Sequence, residues 1–178
     1  MKIAILGNGR MGKHISELAK KRGHSVVAVS SSENPAHTLD VSSADVAIDF
    51  STPTTAFENI SHAINSEVPV ISGTTGWLNQ LQEIEDLCKV NDGSFLYASN
   101  FSLGMNIFFE LNKNLAKLMQ NQNYESTIHE IHHTQKLDSP SGTAKTLGKQ
   151  MDVILKNNTP ITAERIADET GTHTVTYR

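Results

Sequence analysis

The sequence predicts an α/β fold, a doubly wound parallel sheet followed by a smaller α+β domain. Over residues 2–98, short runs rich in Val and Ile alternate with longer segments of helical periodicity, the pattern of βαβ units. Glycines close the first apolar run and open the first helical one, at Gly7, Gly9 and Gly12. Beyond Phe101 the pattern changes to long helical stripes separated by polar loops.

Strands are expected at 2–6, 25–29, 45–50, 68–72 and 94–98, with helices at 11–22, 54–65 and 78–90 between them. Gly23 stands where a helix C-terminus favours a residue that tolerates positive φ. Residues 30–43 are polar, contain Pro35 and lack periodicity, so they read as a connection. Right-handed crossovers between parallel strands then give the doubly wound sheet of a dinucleotide-binding domain over 1–101. In the second domain, 102–178, Ile107, Phe108, Leu111, Leu115 and Leu118 recur at helical spacing and are expected to form a buried face. A strand over 124–132, a polar loop over 133–140 and a helix carrying Ala144, Leu147, Met151, Ile154 and Leu155 follow, and 172–178 opens as a strand.

Composition narrows the function classes. With 178 residues, 38% hydrophobic, 19% charged and a formal charge of -4, the chain reads as a soluble globular protein. That charge gives little support for binding nucleic acid, which needs a basic surface to neutralise phosphates. Cys88 is the only cysteine and cannot form an intramolecular disulfide; it reads as core filler. The apolar run at 3–6 is too short for a signal sequence or a membrane span, so the cytoplasm is the expected location.

Gly7-Asn8-Gly9-Arg10-Met11-Gly12 places a complete G-x-G-x-x-G between the first strand and first helix. The first glycine permits a sharp turn, the second admits a pyrophosphate, and the third lets helix and strand pack closely. The helix N-terminus supplies free N–H groups to the phosphates. The second strand ends in serines, with Ser31 where an acidic residue usually holds the ribose, and Glu33 only afterwards. Hydroxyls do not repel a phosphate, so either NADPH or NADH is admitted. Gly73-Thr74-Thr75-Gly76 and Ala98-Ser99-Asn100-Phe101 follow the fourth and fifth strands, at the strand ends where open α/β sheets bind ligands; they also read as ordinary turns.

The segment Glu130-Ile131-His132-His133-Thr134-Gln135-Lys136-Leu137-Asp138-Ser139-Pro140-Ser141-Gly142-Thr143-Ala144 is dense in titratable groups and lies between a strand and a helix. Ser141 or a neighbour can cap that helix, so that Gly142 and Thr143 present N–H groups to a carboxylate. His132 can exchange a proton near neutral pH, and Lys136 can donate one or neutralise negative charge. Three other readings stand beside this one: a metal set of His129, His132 and His133, which lacks cysteine partners and a spaced fourth ligand; a solvated loop with a Ser-Pro cap; and a phosphate loop at Ser141 to Lys145, where the strand–GxxxxGK(S/T)–helix pattern is absent.

This segment resembles the signature of the 4-hydroxy-tetrahydrodipicolinate reductase family, roughly E-x-H-H-x-x-K-x-D-x-P-S-G-T, and matches it at every fixed position. The glycine loop, Asp49-Phe50-Ser51, Gly73-Thr74-Thr75-Gly76 and Asn100-Phe101-Ser102 match in the same order, so the resemblance covers nearly the whole chain. It implies a Rossmann domain and an NADPH- or NADH-dependent reduction of a small dicarboxylate, with no metal. It implies His132 as proton donor and acceptor and Lys136 as proton donor. His133, Ser141, Gly142 and Thr143 would meet the substrate. Gly7, Asn8, Gly9, Arg10, Met11, Gly12, Ser31, Gly73, Thr74, Thr75, Ala98, Ser99, Asn100 and Phe101 would meet the dinucleotide.

Ser31 and Ser99 depart from the family pattern, and the glycine loop is one residue shorter than in longer members. Family members also continue past the position of Arg178, so the α+β domain is expected to lack its C-terminal part, which in the family builds a homotetramer. Two alternatives follow: a nucleotide-binding module impaired in catalysis by that truncation, and another two-domain oxidoreductase such as a sugar dehydrogenase. The His132–Lys136 segment argues against the second.

Overall fold

The structure, a computed structural model, describes residues 1–136 and 138–178. The chain divides into two compact units, Met1–Ala98 and Ser99–Arg178. In the first unit, strands β1 (Lys2–Leu6), β2 (Ser25–Ser30), β3 (Val46–Asp49), β4 (Val70–Ser72) and β5 (Phe95–Tyr97) form one sheet in the order β2-β1-β3-β4-β5. Every pairing is parallel, so each connection must cross over. Helices α1 (Arg10–Lys21), α2 (Ala56–Asn65) and α3 (Leu81–Val90) make three of the crossovers. The fourth, between β2 and β3, holds only a 3₁₀ turn at Ala36–Thr38, in the stretch read as a connection.

All five expected strands are present. β3 and β5 are each one residue shorter at both ends than expected, and β4 is two residues shorter at its N-terminal end, where Val68 is buried without joining the ladder. Gly23 has φ +78°, as its place after α1 requires.

Side-chain alternation along β1 shows why helices cover both faces. Ala4 and Leu6 join a core with Ile60, Ile64, Trp77 and Ile84 from the α2 and α3 side, whereas Ile3 and Ile5 pack with Ile15 and Ala19 of α1. A strand buried on both faces cannot alternate polar with apolar residues, and the sequence of β1 is accordingly apolar after Lys2. Cys88 packs against the larger of these cores.

In the second unit, α4 (Leu103–Met119) leads to β6 (Ser126–His132), α5 (Gly142–Leu155), β7 (Ile161–Arg165) and β8 (Thr172–Tyr177). β6 is the central strand, parallel to β7 and antiparallel to β8. Ile128 of β6, Phe109 and Ala116 of α4, and Ala144, Leu147 and Met151 of α5 form its core.

The buried face of α4 is not the one its sequence suggests. Ile107, Leu111 and Leu118 are 60%, 59% and 74% exposed, while Phe109, Asn112 and Ala116 are buried. The helix carries two adjacent apolar stripes, and close approach to α5 selects the one containing a small residue and Asn112, whose Nδ2 donates to the carbonyl of Leu147 at 3.3 Å. Among the described residues, no helix is long and apolar enough to cross a membrane.

This packing predicts opposite outcomes for two neighbouring positions. Phe109→Ala is expected to cost about 3–5 kcal/mol by cavity formation, whereas Leu118→Ser is expected to stay within about 0.5 kcal/mol of the parent. Urea unfolding of both variants measures the contrast.

Candidate active site

The glycine loop lies at the carboxyl end of β1, beside the point where strand order reverses between β1 and β3. Gly7 has φ +112°, and a Cβ there would sit 2.3 Å from the carbonyl oxygen of Phe50. A Cβ on Gly12 would lie 1.8 Å from the carbonyl oxygen of Gly7, so this glycine lets α1 close down on the turn. A Cβ on Gly9 would meet nothing within 4 Å, which leaves open space in front of the N-terminus of α1. Ser30 ties the loop to the end of β2 by accepting a 2.9 Å hydrogen bond from the Gly7 N–H.

A cavity of about 760 Å³ opens there, lined by Gly7, Asn8 and Gly9, by Ser31, Ser32 and Glu33 after β2, and by residues from Phe50 to Asn59 after β3. Its size falls in the range of small-molecule sites. The sequence-predicted Gly7, Asn8, Gly9 and Ser31 are thus brought together. Arg10 and Met11 occupy the exposed first turn of α1.

Gly73, Thr74 and Thr75 follow β4 and do not line this cavity. They are coupled to it through Phe50, whose ring a Cβ on Gly73 would approach to 2.2 Å. The same turn is fastened by Asp49, which sequence reasoning cited as part of a motif without a role. Its carboxylate is fully buried and accepts hydrogen bonds from the hydroxyls of Ser51 (2.6 Å), Ser72 (2.8 Å) and Thr74 (2.7 Å). The Ser51 N–H in turn donates to Thr74 Oγ1 at 2.8 Å, and the indole of Trp77 donates to the Thr74 carbonyl at 2.7 Å. Burial pushes the Asp49 carboxyl above its ordinary value, against the hydroxyls that stabilise its charge.

Ala98 ends the first unit, and Ser99, Asn100 and Phe101 begin the second. Ser99 Oγ lies 3.4 Å from Thr146 Oγ1 of α5, and Asn100 accepts from the Ser102 N–H at 2.8 Å, forming a turn before α4. Phe101 is half-exposed.

Strand alternation sorts the histidines. His132 and Glu130 share one face of β6; His129 points to the other, where it meets Thr162 and Glu164. The trio weighed from sequence as a metal set is therefore divided. Register then brings in two residues that sequence reasoning missed, because β8 pairs His173 with Glu130 and β7 pairs Arg165 with His132.

Glu130 is fully buried. One oxygen accepts from the Ser141 N–H (2.8 Å) and from Arg165 (3.3 Å), and the other accepts from the Ser141 hydroxyl and faces both His132 Nδ1 and His173 Nε2 at 3.4 Å. Burial acts to raise this carboxyl, but the two Ser141 bonds, His132 and Arg165 outweigh it and hold it below the usual range. Burial likewise lowers His132, helped by Lys136 and Arg165 and opposed by Glu130, so the imidazole is favoured in its neutral form.

Ser141 caps α5, its hydroxyl accepting from the Ala144 N–H at 3.2 Å. With 1% exposure it lies beneath the surface rather than facing a ligand. Lys136, expected to donate a proton or neutralise negative charge, and Gly142, expected to present its N–H to a substrate carboxylate, here meet a resident carboxylate: Asp138 contacts Lys136 Nζ at 2.7 Å and accepts from the Gly142 N–H at 3.3 Å. Burial would raise the Asp138 carboxyl, and Lys136 outweighs it, leaving it lowered. His133 has a buried Nδ1 with no hydrogen-bond partner among the described residues, and Thr143 is buried in the first turn of α5.

The family profile "Dihydrodipicolinate reductase, N-terminus" matches residues 1–101, and "Dihydrodipicolinate reductase, C-terminus" matches residues 104–178. The chain belongs to the dihydrodipicolinate reductase family. It is 48% identical to a 4-hydroxy-tetrahydrodipicolinate reductase of Christiangramia forsetii, over 99% of this chain and 80% of that protein. A relative of the same name from Methanothermobacter thermautotrophicus is 31% identical over 95% of this chain and 64% of that one. Among solved structures, a dipicolinate-bound dihydrodipicolinate reductase from Paenisporosarcina shares the fold with a TM-score of 0.74 at 24% identity, covering 98% of this chain and 82% of the other. An aspartate dehydrogenase from Thermotoga maritima shares it more loosely, with a TM-score of 0.57 at 15% identity, over 100% of this chain and 84% of that one.

The raised Asp49 carboxyl carries a signed pH dependence. Its contribution to stability is complete below its unfolded value of 3.8 and is lost as pH rises through the higher folded value. Asp49→Asn lacks this titration, so its stability relative to the parent is expected to improve from acid toward neutral pH. Denaturant unfolding of both proteins across that range measures the slope; a difference independent of pH excludes the effect.

Proposed function

We propose that this chain carries out the NADPH- or NADH-dependent reduction of 4-hydroxy-tetrahydrodipicolinate to tetrahydrodipicolinate with loss of water, in the cytoplasmic diaminopimelate route to lysine. The observation that carries the proposal is kinship over 99% of the chain with a reductase of that name, joined to a histidine–lysine segment folded at the end of a strand. That kinship favours the reductase over the nucleotide-binding module, because it spans the second unit as well as the first.

The residues present suit a nicotinamide dinucleotide. Gly9 leaves room for a pyrophosphate at the N-terminus of α1, and Gly7, Asn8, Arg10, Met11 and Gly12 complete that loop. Ser31 and Ser32 offer hydroxyls to the adenine ribose or its phosphate, and Glu33 offers a carboxylate to ribose hydroxyls in the same cavity. Gly73, Thr74, Thr75 and the Ala98-Ser99-Asn100-Phe101 turn are proposed to complete the cofactor's surroundings. When bound, the dinucleotide supplies the hydride.

The remaining work belongs to the second unit. His132, held neutral by burial, receives and returns a proton at Nε2. Lys136 donates a proton and balances the negative charge of the dicarboxylate. His133, whose buried Nδ1 has no partner among the described residues, and the N-terminus of α5 at Gly142 and Thr143 provide donors for the carboxylates, Ser141 fixing that helix end from below. A substrate carboxylate would take the place of Asp138 on Lys136 and Gly142.

His132→Gln and Lys136→Ala are each expected to lower kcat about 10²–10⁴-fold, with dinucleotide affinity nearly unchanged. Steady-state kinetics and cofactor titration check the two quantities separately, and parallel losses in both would contradict the assigned roles. Mixing the protein with NADPH or NADH and freshly generated substrate is expected to consume the nicotinamide absorbance. Binding without consumption would restore the module reading, and the ratio of rates with the two cofactors reports the preference set by the serine-rich turn.

A further inference from the structure

We infer that Glu130, balanced by Arg165, is the positioning residue for the His132 imidazole, holding its Nδ1 side so that Nε2 faces the reaction. The inference rests on the proposed role of His132 and adds residues to it.

His132 Nδ1 is buried and has no hydrogen-bond partner among the described residues; the acceptor beside it is Glu130 Oε2 at 3.4 Å. A small rotation of the ring shortens that contact to a charge-assisted hydrogen bond, about 2.7–2.9 Å long. On the opposite side of the ring the backbone at Gly171, with φ +110°, comes so near that a Cβ would lie 3.0 Å from Cδ2 and Nε2. His173 packs edge-on against the same ring, with centroids 5.0 Å apart and planes at 76°. The ring is therefore bounded by an acid at Nδ1, a glycine near Nε2 and a second imidazole.

Glu130 itself cannot swing away. Ser141 holds both its oxygens, and Arg165 reaches one of them while also donating to the carbonyls of Lys136 and Asp138. One guanidinium thus links the acid behind His132 to the loop that carries Lys136. The charged and titratable groups facing the His132 ring are Glu130 from its own strand, Arg165 from β7, His173 from β8, and Lys136 and Asp138 from the loop.

Glu130, His132 and His173 also bring three potential metal-ligand atoms within 4.8 Å of one another. A cation there would compete with Ser141 and Arg165 for carboxylate oxygens they already occupy, and would sit beside the Arg165 guanidinium. Positioning leaves the Ser141 and Arg165 contacts to Glu130 in place. A neutral imidazole donating from Nδ1 to a fixed carboxylate leaves Nε2 as the acceptor and fixes the tautomer; orienting partners of this kind are a general device at histidine sites.

The test uses ring NMR of the whole protein together with kinetics. In the parent protein, above the His132 pKa, nitrogen shifts are expected to show the Nδ1–H tautomer. Glu130→Gln is expected to lower the His132 pKa, since it removes a neighbouring negative charge, and to reduce kcat about 10- to 100-fold with KM within about 2-fold. An Nε2–H tautomer in the parent, a ring unmoved in Glu130→Gln, or a shifted ring with unchanged kcat would each overturn the inference. If Glu130→Gln does not fold, the parent's tautomer decides. If the parent consumes no nicotinamide with the cyclic substrate, the functional reading fails while the NMR arm still tests the placement of Glu130.

Discussion

A carboxylate taken out of water must find donors for its oxygens, and this constraint organises both units. Among the described residues, Asp49 and Glu130 are the acids with no exposure at all. Each lies at or near the carboxyl end of a central strand, and each gathers side chains from segments remote in sequence. Asp49 is satisfied mainly by hydroxyls, with the Asn59 side chain adding a further hydrogen bond, and it joins the ends of β3 and β4, so shaping the turns at the sheet's ligand-binding edge. Glu130 is satisfied by a hydroxyl, a backbone N–H and a guanidinium, and it leaves one side facing two imidazoles.

The difference in donors has chemical consequences. Hydroxyls only partly offset desolvation, so the Asp49 carboxyl is raised and its network serves as a structural clasp. Arg165 and Ser141 overcompensate burial at Glu130, which stays ionised and lends its charge to His132. Without that charge, burial and the cations at Arg165 and Lys136 would depress the imidazole further. A proton-exchanging ring works best when its pKa stays near the working pH, so a buried anion next to it tunes the ring as well as aiming it.

Asp138 follows the same logic from the surface side. The N-terminus of α5 and the Lys136 ammonium form a seat for an anion, and the chain fills it with its own side chain. The seat was legible as a helix cap following a strand, because Ser141-Gly142-Thr143 is a local pattern. Its resident occupant was not, since Asp138 could equally have faced solvent.

Local patterns carried much of the rest. The order of strands and helices in the first unit, the glycine loop with its open space at Gly9, and the strand–loop–helix setting of His132 and Lys136 all depend on neighbours a few residues apart, and the sequence by itself determined them. The tertiary structure alone decided which of two apolar stripes on α4 is buried, because Asn112 and Ala116 permit the close approach to α5 that the periodicity of Ile107, Leu111 and Leu118 does not encode. It alone decided that Arg165 and His173 join Glu130 and His132. That grouping follows from the register of β7 and β8 against β6, and register is set by strand pairing across more than thirty residues of chain rather than by any local spacing.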